Sequence, residues 1–333
     1  MTRTICLIPG DGIGHEVIPA ATEVLRATGL AMTFTQAEAG WDAFQRHGTA
    51  LPPATVDAVR AADATLFGAV SSPLSPVEGY RSPIVALRRE LDLYANLRPV
   101  LSQPVPSSRA GIDMLIVREN SEGLYAGRER ATESEAITER LITRAASLRI
   151  ANVAFRLARG RRRRVTIVHK ANVLRATCGL FRKTAFSVAE DYPDVQVDEM
   201  LVDAAAMHLI TEPERFDVLV TTNLFGDILS DEAAALVGGL GLAPSGNIGD
   251  DHAIFEPVHG SAPDIAGTGR ANPVAAILAA AMLLEHLGAT DAAARVQAAV
   301  AQVLAAGPRT PDLGGSATTQ DFTRAIIAHM EEN

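Results

Sequence analysis

Two aspartates at helical spacing are the first residues in this sequence whose types could do chemistry. Asp227 and Asp231 follow the apolar run 216–220, which predicts a buried strand. A spacing of four residues puts both carboxylates on one helix face, one turn apart. A hard divalent cation such as Mg²⁺ or Mn²⁺ prefers oxygen ligands and would relieve their repulsion. Such a pair is more often a solvated helix face. Here apolar residues such as those at 233–236 surround it, so we expect the pair to face a cleft.

Arginines beside three predicted elements form a second set of candidate residues. Arg88 lies in a predicted helix, and Arg98 and Arg118 come directly after predicted strands over 93–97 and 113–117. An arginine fork binds a carboxylate through two parallel hydrogen bonds, so several converging arginines indicate a site for a polyanionic acid. Any one of them alone is better explained by a surface salt bridge. If the three arginines converge from separate elements, a binding site for a polyanionic acid is the better explanation.

A lysine and a basic run lie on either side of another predicted strand, 165–168. Lys170 follows that strand, where partial burial of the side chain would suit it to proton transfer, although a solvated lysine is the simpler interpretation. The run 160–164, a glycine and four arginines, precedes the strand. No aromatic residue interrupts it, so we interpret it as a solvated connection and not as a nucleic-acid surface.

Strands and helices alternate along the chain, which predicts an α/β fold with a largely parallel sheet. The first strand, 4–8, leads through the glycine-rich segment 10–14 to a helix over 15–27. The glycines there run G-x-G-x-G and not G-x-G-x-x-G, so a tight turn is a better interpretation than a Rossmann dinucleotide site. We also predict a long helix over 135–158, and a helix after Thr222 or Asn223, either of which could cap it.

Composition limits the function further. The 333 residues suffice for one large or two ordinary domains, and 47% hydrophobic content with few aromatics is typical of an α/β enzyme. A net charge of −9 argues against general nucleic-acid binding. The most apolar segment, 274–284, is too short to span a bilayer, and the amino-terminal residues lead straight into a strand, so we expect no signal peptide and no membrane association. Two isolated cysteines, Cys6 and Cys178, fit a reducing cytoplasm.

Taken together, the motifs resemble the metal-dependent β-decarboxylating dehydrogenases, the family of isocitrate, 3-isopropylmalate and homoisocitrate dehydrogenases. The resemblance covers nearly the whole chain, and its many ordered matches make it specific. The matching segments are Gly10-Asp11-Gly12-Ile13-Gly14 with Glu16, Leu87-Arg88-Arg89, Asn96-Leu97-Arg98-Pro99, Val117-Arg118-Glu119-Asn120-Ser121-Glu122-Gly123-Leu124-Tyr125, His169-Lys170-Ala171-Asn172, Asp203, Asn223-Leu224-Phe225-Gly226-Asp227-Ile228-Leu229-Ser230-Asp231 and His259-Gly260-Ser261-Ala262-Pro263-Asp264.

The resemblance implies a two-domain α/β fold that is not a Rossmann fold. Residues 1–98 and 240–333 would form the large domain on the cofactor side, and residues 99–239 the small domain, with the active-site cleft between them. It also implies an obligate homodimer with shared active sites, alone or as a dimer of dimers.

The resemblance assigns roles to the candidate residues. Asp227 and Asp231 would hold Mg²⁺ or Mn²⁺ together with Asp203 of the partner subunit. The arginines at 88, 98 and 118 would clamp the substrate carboxylates. The partner's Lys170 would act as base on the α-hydroxyl, directly or through water, and Tyr125, assisted by that lysine, would protonate the product of decarboxylation. The substrate set implied by the resemblance is Arg81, Ser82, Ile84, Val85, Arg88, Arg98, Arg118, Tyr125, Lys170 and Asn172.

For the cofactor, the resemblance implies NAD. Asp264 followed by Ile265 is similar to the NAD-using members, and a carboxylate there would accept hydrogen bonds from ribose hydroxyls and repel a 2′-phosphate. NADP-using relatives carry Lys and Tyr at these two positions. The full cofactor set implied is Ser71, Asn172, Glu256, His259, Gly260, Ser261, Ala262, Asp264, Ile265 and Asn272.

The segment before Arg88 favours one substrate. Tyr80-Arg81-Ser82-Pro83-Ile84-Val85 is most similar to homoisocitrate dehydrogenases, whose substrate has one methylene more than isocitrate. We expect Arg81 and Ser82 to reach the distal carboxylate, and Ile84 and Val85 to contact the extra methylene. The alternatives are a 3-isopropylmalate dehydrogenase in which Arg81 is solvated, and an NAD-dependent isocitrate dehydrogenase. A non-catalytic regulatory subunit is disfavoured, because every expected acid and arginine is present.

Overall fold

The computed structural model describes residues 2–73, 75 and 77–332. Ten of the strands in these residues form one mixed sheet, in the order β2-β1-β3-β12-β11-β4-β5-β10-β8-β9, and β6 and β7 form a separate hairpin. The strands are β1 (Arg3–Gly10), β2 (Met32–Gln36), β3 (Ala64–Ala69), β4 (Ala95–Leu101), β5 (Asp113–Glu119), β6 (Gly123–Ala131), β7 (Ala136–Leu141), β8 (Arg164–His169), β9 (Gln196–Leu201), β10 (Val218–Thr221), β11 (Pro244–Ile248) and β12 (Ala253–Pro257).

Helices cover the sheet. They are α1 (Gly14–Ala27), α2 (Trp41–His47), α3 (Pro53–Ala61), α4 (Pro83–Glu90), α5 (Arg144–Arg159), α6 (Thr177–Ala189), α7 (Val202–Thr211), α8 (Asn223–Leu236), α9 (Val274–His286), α10 (Thr290–Ala306) and α11 (Thr319–Glu332). Because most neighbouring strands are parallel, crossover helices pack on the sheet, and the prediction of an α/β fold with a largely parallel sheet is confirmed. Within the ten-stranded sheet of the described residues, only the pairs β12–β11, β11–β4 and β4–β5 are antiparallel.

The core forms on both sides of this sheet. One cluster joins residues from both ends of the chain, from Ile5 in β1 to Met330 in α11, around the largely buried helix α9. Another lies among β8, β10, α5 and α6 in the middle of the chain. The expected domain boundary at residue 98 falls inside β4, which carries antiparallel neighbours on both sides; the division into two domains stays a prediction. No helix among the described residues is long and apolar enough to cross a membrane.

The prediction of one long helix over 135–158 is wrong. Residues Ala136–Leu141 form β7, the second strand of an exposed hairpin, and α5 begins only at Arg144 after the N-cap Thr143. Thr143 Oγ1 accepts a hydrogen bond from the backbone N–H of Ala146, which fixes the start of the helix. Charged residues spaced three and four apart in this segment imitate a helical surface, although the chain pairs here as a hairpin.

Smaller corrections concern the ends of elements. Arg98 lies inside β4 and not beyond its end, and Arg118 precedes the last residue of β5. Thr222 occupies the N-cap position of α8, but its side chain does not cap the helix; its hydroxyl instead accepts a hydrogen bond from Arg140 (2.8 Å). Sequence analysis also missed α2, α6, β6, β11 and β12.

The glycine-rich turn after β1 has a structural role. Asp11 is buried and accepts hydrogen bonds from the backbone N–H groups of Trp41 (2.8 Å), Asp42 (2.9 Å) and Ser71 (2.8 Å). Gly12 has φ of +55°, and a Cβ there would lie 2.2 Å from the carbonyl oxygen of Ser261. The turn therefore contacts three distant segments at the carboxyl end of β1, which agrees with the interpretation as a tight turn.

Candidate active site

Asp227 is the centre of a cluster of charged residues. Its carboxylate accepts hydrogen bonds from Arg118, from Arg98 (3.2 Å) and from the hydroxyl of Tyr125 (2.6 Å). Burial alone would raise the pKa of Asp227, but the charge of Arg118, the Tyr125 hydroxyl and the charge of Arg98 outweigh it and lower that pKa. The side chain is therefore an anion held by two cations and a phenol.

Arg118 is the most enclosed member of this cluster, with 1% of its surface exposed. Two of its nitrogens donate to the side-chain oxygen of Asn223 (2.7 and 3.1 Å), and a third donates to Asp227. Burial and the nearby charge of Arg98 lower the pKa of Arg118 to about 10, so the guanidinium stays charged at neutral pH. Helix α8 leaves space for it at Gly226, where a Cβ would lie 2.6 Å from Arg118 Cγ.

Asp231 lies one turn beyond Asp227 and shares Arg98 with it. Arg98 donates to Asp231 Oδ1 (2.9 Å) and to Ser230 Oγ (2.7 Å). Burial raises the pKa of Asp231; the charge of Arg98 opposes this shift and the charge of Asp227 adds to it. A bound divalent cation would offset the cost of burying the two charged carboxylates and would reduce the repulsion between them. This pair of oxygen donors therefore fits the metal that the sequence predicts.

The third predicted metal ligand lies elsewhere in the chain. Asp203, in the first turn of α7, accepts a hydrogen bond from Lys170 Nζ (2.5 Å), and this bond lowers the pKa of Asp203. Within one chain, residues 2–73, 75 and 77–332 contain no group of three His, Cys, Asp or Glu side chains able to hold a metal ion. The structure thus places Lys170 beside Asp203, and it places Tyr125, Asp227 and Asp231 in a second group.

Lys170 is held by the residues around it. Its backbone N–H donates to Cys178 Sγ (3.3 Å), and the N–H of Ala171 donates to Nδ1 of the buried His169 (3.1 Å). Because Nδ1 is an acceptor, the proton of a neutral ring is on Nε2, which lies 2.9 Å from Glu199 Oε2. Glu199 in turn is bound by Arg182. This series of contacts fixes the turn that carries Lys170 and was not expected from the sequence.

Arg88 belongs to a buried polar network next to the cluster. It donates to Asn247 Oδ1 (2.9 Å) and to Glu256 Oε1 (3.2 Å). The amide groups of Asn96 and Asn120 each donate to the same Asn247 oxygen (3.0 Å in both cases). Glu256, predicted for the cofactor, is therefore paired with a predicted substrate residue. Sequence analysis missed Asn247 because its partners lie far away in the chain.

Three of the ten predicted cofactor residues line a cavity of about 280 Å³. They are His259, Ile265 and Asn272, and Arg270 and Asp312 also line it. Burial lowers the pKa of His259, so its ring is neutral, and its Nε2 is buried without a hydrogen-bond partner among the described residues. A buried polar atom without a partner is uncommon in a folded protein, and it makes the cavity beside His259 a candidate binding site.

The other seven predicted cofactor residues do not line this cavity; among them, Asn172 follows β8 and Glu256 is bound by Arg88. Asn272 caps α9 by accepting from the N–H of Val274 (3.0 Å) and donates to Asp312 (2.9 Å). Ser71 and Ser261 are joined through their hydroxyls (2.7 Å). The exposed members are Gly260, Asp264 and Asn172, while Ala262 is half-buried and packs against the large core cluster.

The predicted specificity residues divide between two sides of α4. Ser82 is the half-buried N-cap residue of this helix, and Ile84 is buried in a core cluster against which Val85 packs. Arg81 is exposed and lines a cavity of about 390 Å³ whose other walls come mainly from α3, α4 and the segment 49–53. None of the three substrate arginines lines that cavity. The role expected of Arg81 at the distal carboxylate stays a prediction.

The basic run before β8 is largely neutralised within the chain. Arg161 pairs with Asp217 (2.9 Å) and Asp113 (2.6 Å), and Arg164 pairs with Asp198 (2.5 Å). Arg162 binds the carbonyl oxygen of Phe216. These contacts agree with a structural role for the run.

Arginines, carboxylates and a tyrosine hydroxyl thus form one cluster, and a separate cavity is lined by a histidine whose Nε2 has no partner among the described residues. Comparisons with known proteins identify the family of the chain. The family model described as isocitrate/isopropylmalate dehydrogenase matches residues 4–326. An isocitrate/homoisocitrate dehydrogenase of Thermus thermophilus is 60% identical over 332 residues, covering 99% of each chain.

Two further relatives are similar over nearly the same length. A 3-isopropylmalate dehydrogenase of Methanothermobacter thermautotrophicus is 51% identical, covering 98% of each chain. The crystal structure of an isocitrate dehydrogenase from Methylococcus capsulatus superposes with a TM-score of 0.95 at 46% identity, covering 99% of each chain. The chain belongs to the isocitrate/isopropylmalate dehydrogenase family, and it is an oxidative decarboxylating dehydrogenase. Enzymes of this family need a nicotinamide cofactor and a divalent metal.

Proposed function

We propose that this chain catalyses the NAD-dependent oxidative decarboxylation of homoisocitrate to 2-oxoadipate, a step of lysine biosynthesis through 2-aminoadipate. The observation that carries the proposal is the preformed cluster in which Arg98 and Arg118 hold Asp227 beside the hydroxyl of Tyr125. Two buried arginines directed at one point can bind the carboxylates of a tricarboxylic acid, and Arg88 lies close enough to affect the pKa of Arg118.

The roles of the residues follow from their protonation states. Burial, and then the hydrogen bond to Asp227, raise the pKa of Tyr125, so its hydroxyl is protonated at neutral pH and can deliver a proton to a carbanionic carbon. When Mg²⁺ or Mn²⁺ is bound by Asp227, Asp231 and Asp203 of the partner subunit, it supplies Lewis acidity at the oxygens of the substrate. The arginines orient the substrate carboxylates. The partner's Lys170 accepts the proton of the α-hydroxyl.

His259, Ile265 and Asn272 line the cavity that would hold the adenosine part of NAD, and the bound cofactor would supply the hydride acceptor for C2 of the substrate. Asp264 is exposed beside Ile265, where its carboxylate favours ribose hydroxyls over a 2′-phosphate. This preference supports NAD over NADP as the cofactor.

A shared site needs a homodimer, and the surface of α7 and α8 supports one. Met207 and Ile210 on α7 and Ile228 on α8 are 54%, 51% and 57% exposed, although all three are large and apolar. These helices contact each other and carry Asp203 and Asp231. Burial of their apolar side chains against a second copy would bring Lys170 and Asp203 to the partner's metal pair.

Mixed dimers test this arrangement. Asp227→Asn and Lys170→Ala each remove one group of the site, and each variant alone should be inactive. Unfolding and refolding an equimolar mixture should restore roughly a quarter of the wild-type activity, because half of the dimers are mixed and each mixed dimer has one intact site. No activity in the mixture, with dimers formed, would mean that Lys170 and Asp227 act within one chain.

The first candidate for an alternative substrate is 3-isopropylmalate. It is favoured by the position of Arg81, which is exposed and lines a cavity whose walls include none of the three substrate arginines. Discrimination by one methylene amounts to about 1–3 kcal/mol, so side activity on isocitrate or 3-isopropylmalate is expected in either case. The test of the proposed reaction is the formation of NADH and CO₂ in equal amounts from homoisocitrate, with loss of both when the metal is chelated. NADH without CO₂ would contradict it.

The proposed location is the cytoplasm. Both cysteines, Cys6 and Cys178, are buried and unpaired, which agrees with a reducing compartment.

A further inference from the structure

A short series of hydrogen bonds connects the segment that precedes α4 with the loop that lines the cofactor cavity. The hydroxyl of Tyr80 donates to the carbonyl oxygen of Ser71 (2.8 Å). Ser71 Oγ lies 2.7 Å from Oγ of Ser261. Ser261 is buried and lies two residues after His259, a wall of the cavity. Two hydrogen bonds therefore separate the residue beside Arg81 from the loop that would receive adenosine.

Asp11 keeps the middle of this series in place. Its buried carboxylate binds the N–H of Ser71 (2.8 Å) together with the N–H groups of Trp41 and Asp42 at the start of α2. Hydrogen bonds to a charged acceptor are stronger than neutral ones. The carbonyl oxygen of Ser261 also accepts from the N–H of Ile13 (2.9 Å), in the same turn as Asp11. Ser71 and Ser261 are thus fixed to one turn, and a shift of one acts on the other.

The ring of Tyr80 is held as firmly as its hydroxyl. Its centroid lies 5.4 Å from Trp41 and 5.4 Å from Phe44, edge-on to both, and those two rings stack at 5.5 Å. Both aromatic partners belong to α2, whose first N–H groups bind Asp11. Burial raises the pKa of Tyr80 and keeps its hydroxyl a donor. Movement of the segment before α4 must therefore move Ser71, α2 or both.

We propose that Tyr80 is a positioning residue that couples the substrate to the cofactor. Binding of the acid at the start of α4 acts through Tyr80, Ser71 and Ser261 on the cofactor loop, so each ligand changes the affinity for the other by the same factor. The inference rests on the proposed function, because it takes the acid to contact Arg81 and Ser82 before α4 and NAD to contact the loop after β12. The aromatic cluster and the Ser71–Ser261 contact are its independent basis.

The variant Tyr80→Phe tests the coupling, because it removes the hydroxyl and keeps the ring. Trp41 is the only tryptophan in the chain and touches Tyr80, so its fluorescence reports binding. The Kd of NADH is measured with Mg²⁺, with and without a saturating amount of the acid that gives the highest kcat/KM. NADH is used because the ternary complex with it does not turn over. The ratio of the two Kd values is the coupling factor.

In the wild type this factor should differ from one, and Tyr80→Phe should move it toward one by roughly two- to tenfold, the effect of one neutral hydrogen bond. Ser71→Ala, which removes the hydroxyl contact with Ser261, should have the same effect. The matched control is Tyr192→Phe: this hydroxyl also makes one hydrogen bond, to Asn152 (3.2 Å), and its ring stacks on Phe155 (5.4 Å). The control should keep the wild-type factor.

The outcomes separate this inference from the proposed function. A wild-type factor of one, or an unchanged factor in both Tyr80→Phe and Ser71→Ala, overturns the coupling, even where either variant has a lower Tm. NADH formation by the wild type in that case leaves the proposed function standing. Failure of the wild type to turn over any of the three acids overturns both.

Discussion

Replacing Gly226 in α8 by alanine tests how the arginine cluster packs. Helix propensity favours the alanine at this position, whereas packing against Arg118 disfavours it. The glycine precedes Asp227, and its φ is not positive, so the backbone accepts any residue. Gly226→Ala should gain about 1 kcal/mol from helix propensity alone. The new Cβ, however, would lie 2.7 Å from Arg118 Cβ and 2.6 Å from Arg118 Cγ.

Those atoms cannot move away easily, because they belong to the part of Arg118 nearest the backbone of β5. The overlap costs about 1–3 kcal/mol as overpacking. Displacing the guanidinium also weakens bonds to Asn223 and Asp227, which contribute roughly 1.5–3 kcal/mol each when a charged group is involved. Some of these bonds can re-form after the shift, so we expect a net loss of about 2 kcal/mol in the free energy of unfolding. A displacement of about 1 Å should lower kcat/KM roughly a hundredfold.

The matched control is Gly179→Ala in α6, a helical glycine whose added Cβ would meet no atom within 4 Å. It should stabilise the protein by up to about 1 kcal/mol and leave kcat/KM unchanged. Both variants are compared with the wild type by urea denaturation and by steady-state kinetics. If Gly226→Ala were as stable and as active as Gly179→Ala, the argument that α8 makes room for Arg118 would be refuted.

Three further predictions concern pH, cofactor and metal. Glu199→Gln should lower the free energy of unfolding at pH 7 by less than about 1 kcal/mol. The hydrogen bond from Arg182 lowers the pKa of the Glu199 carboxylate in the folded chain, so its stabilising contribution should fade as the pH falls below about 4.5. An equal difference between wild type and variant in urea unfolding at about pH 3 would contradict this. Asp264→Lys combined with Ile265→Tyr should raise kcat/KM with NADP relative to NAD roughly tenfold or more, whereas an unchanged ratio would count against the assignment of NAD. Asp227→Asn should lower kcat at least about a hundredfold while circular dichroism shows a retained fold, and an active variant would remove Asp227 from the chemistry.

Much of the fold could be predicted from local patterns in the sequence. Buried strands such as 218–221 are short apolar runs, and α9 is apolar on all sides, so both could be recognised without their partners. The pair Asp227 and Asp231 could likewise be placed on one helix face from spacing alone. These features depend on residues close together in the chain.

The features that sequence analysis missed depend on distant partners. The hairpin of β6 and β7 is largely exposed, so its hydrophobic pattern is weak and the charges near Glu139 imitate a helix. The need for glycine at 226 becomes visible only when β5 places Arg118 against α8. A regular i,i+4 pattern could not reveal that Arg98 joins the two aspartates, because Arg98 comes from a separate strand.

The most direct test of the proposed function is the initial rate of NADH formation by the purified protein with NAD and Mg²⁺. We would compare kcat/KM for homoisocitrate, isocitrate and 3-isopropylmalate under the same conditions. The proposed function predicts the highest kcat/KM for homoisocitrate, with measurable activity on at least one of the other acids. A higher value for 3-isopropylmalate would contradict it, and would mean that the aliphatic residues Ile84 and Val85 determine the substrate in place of Arg81 and Ser82.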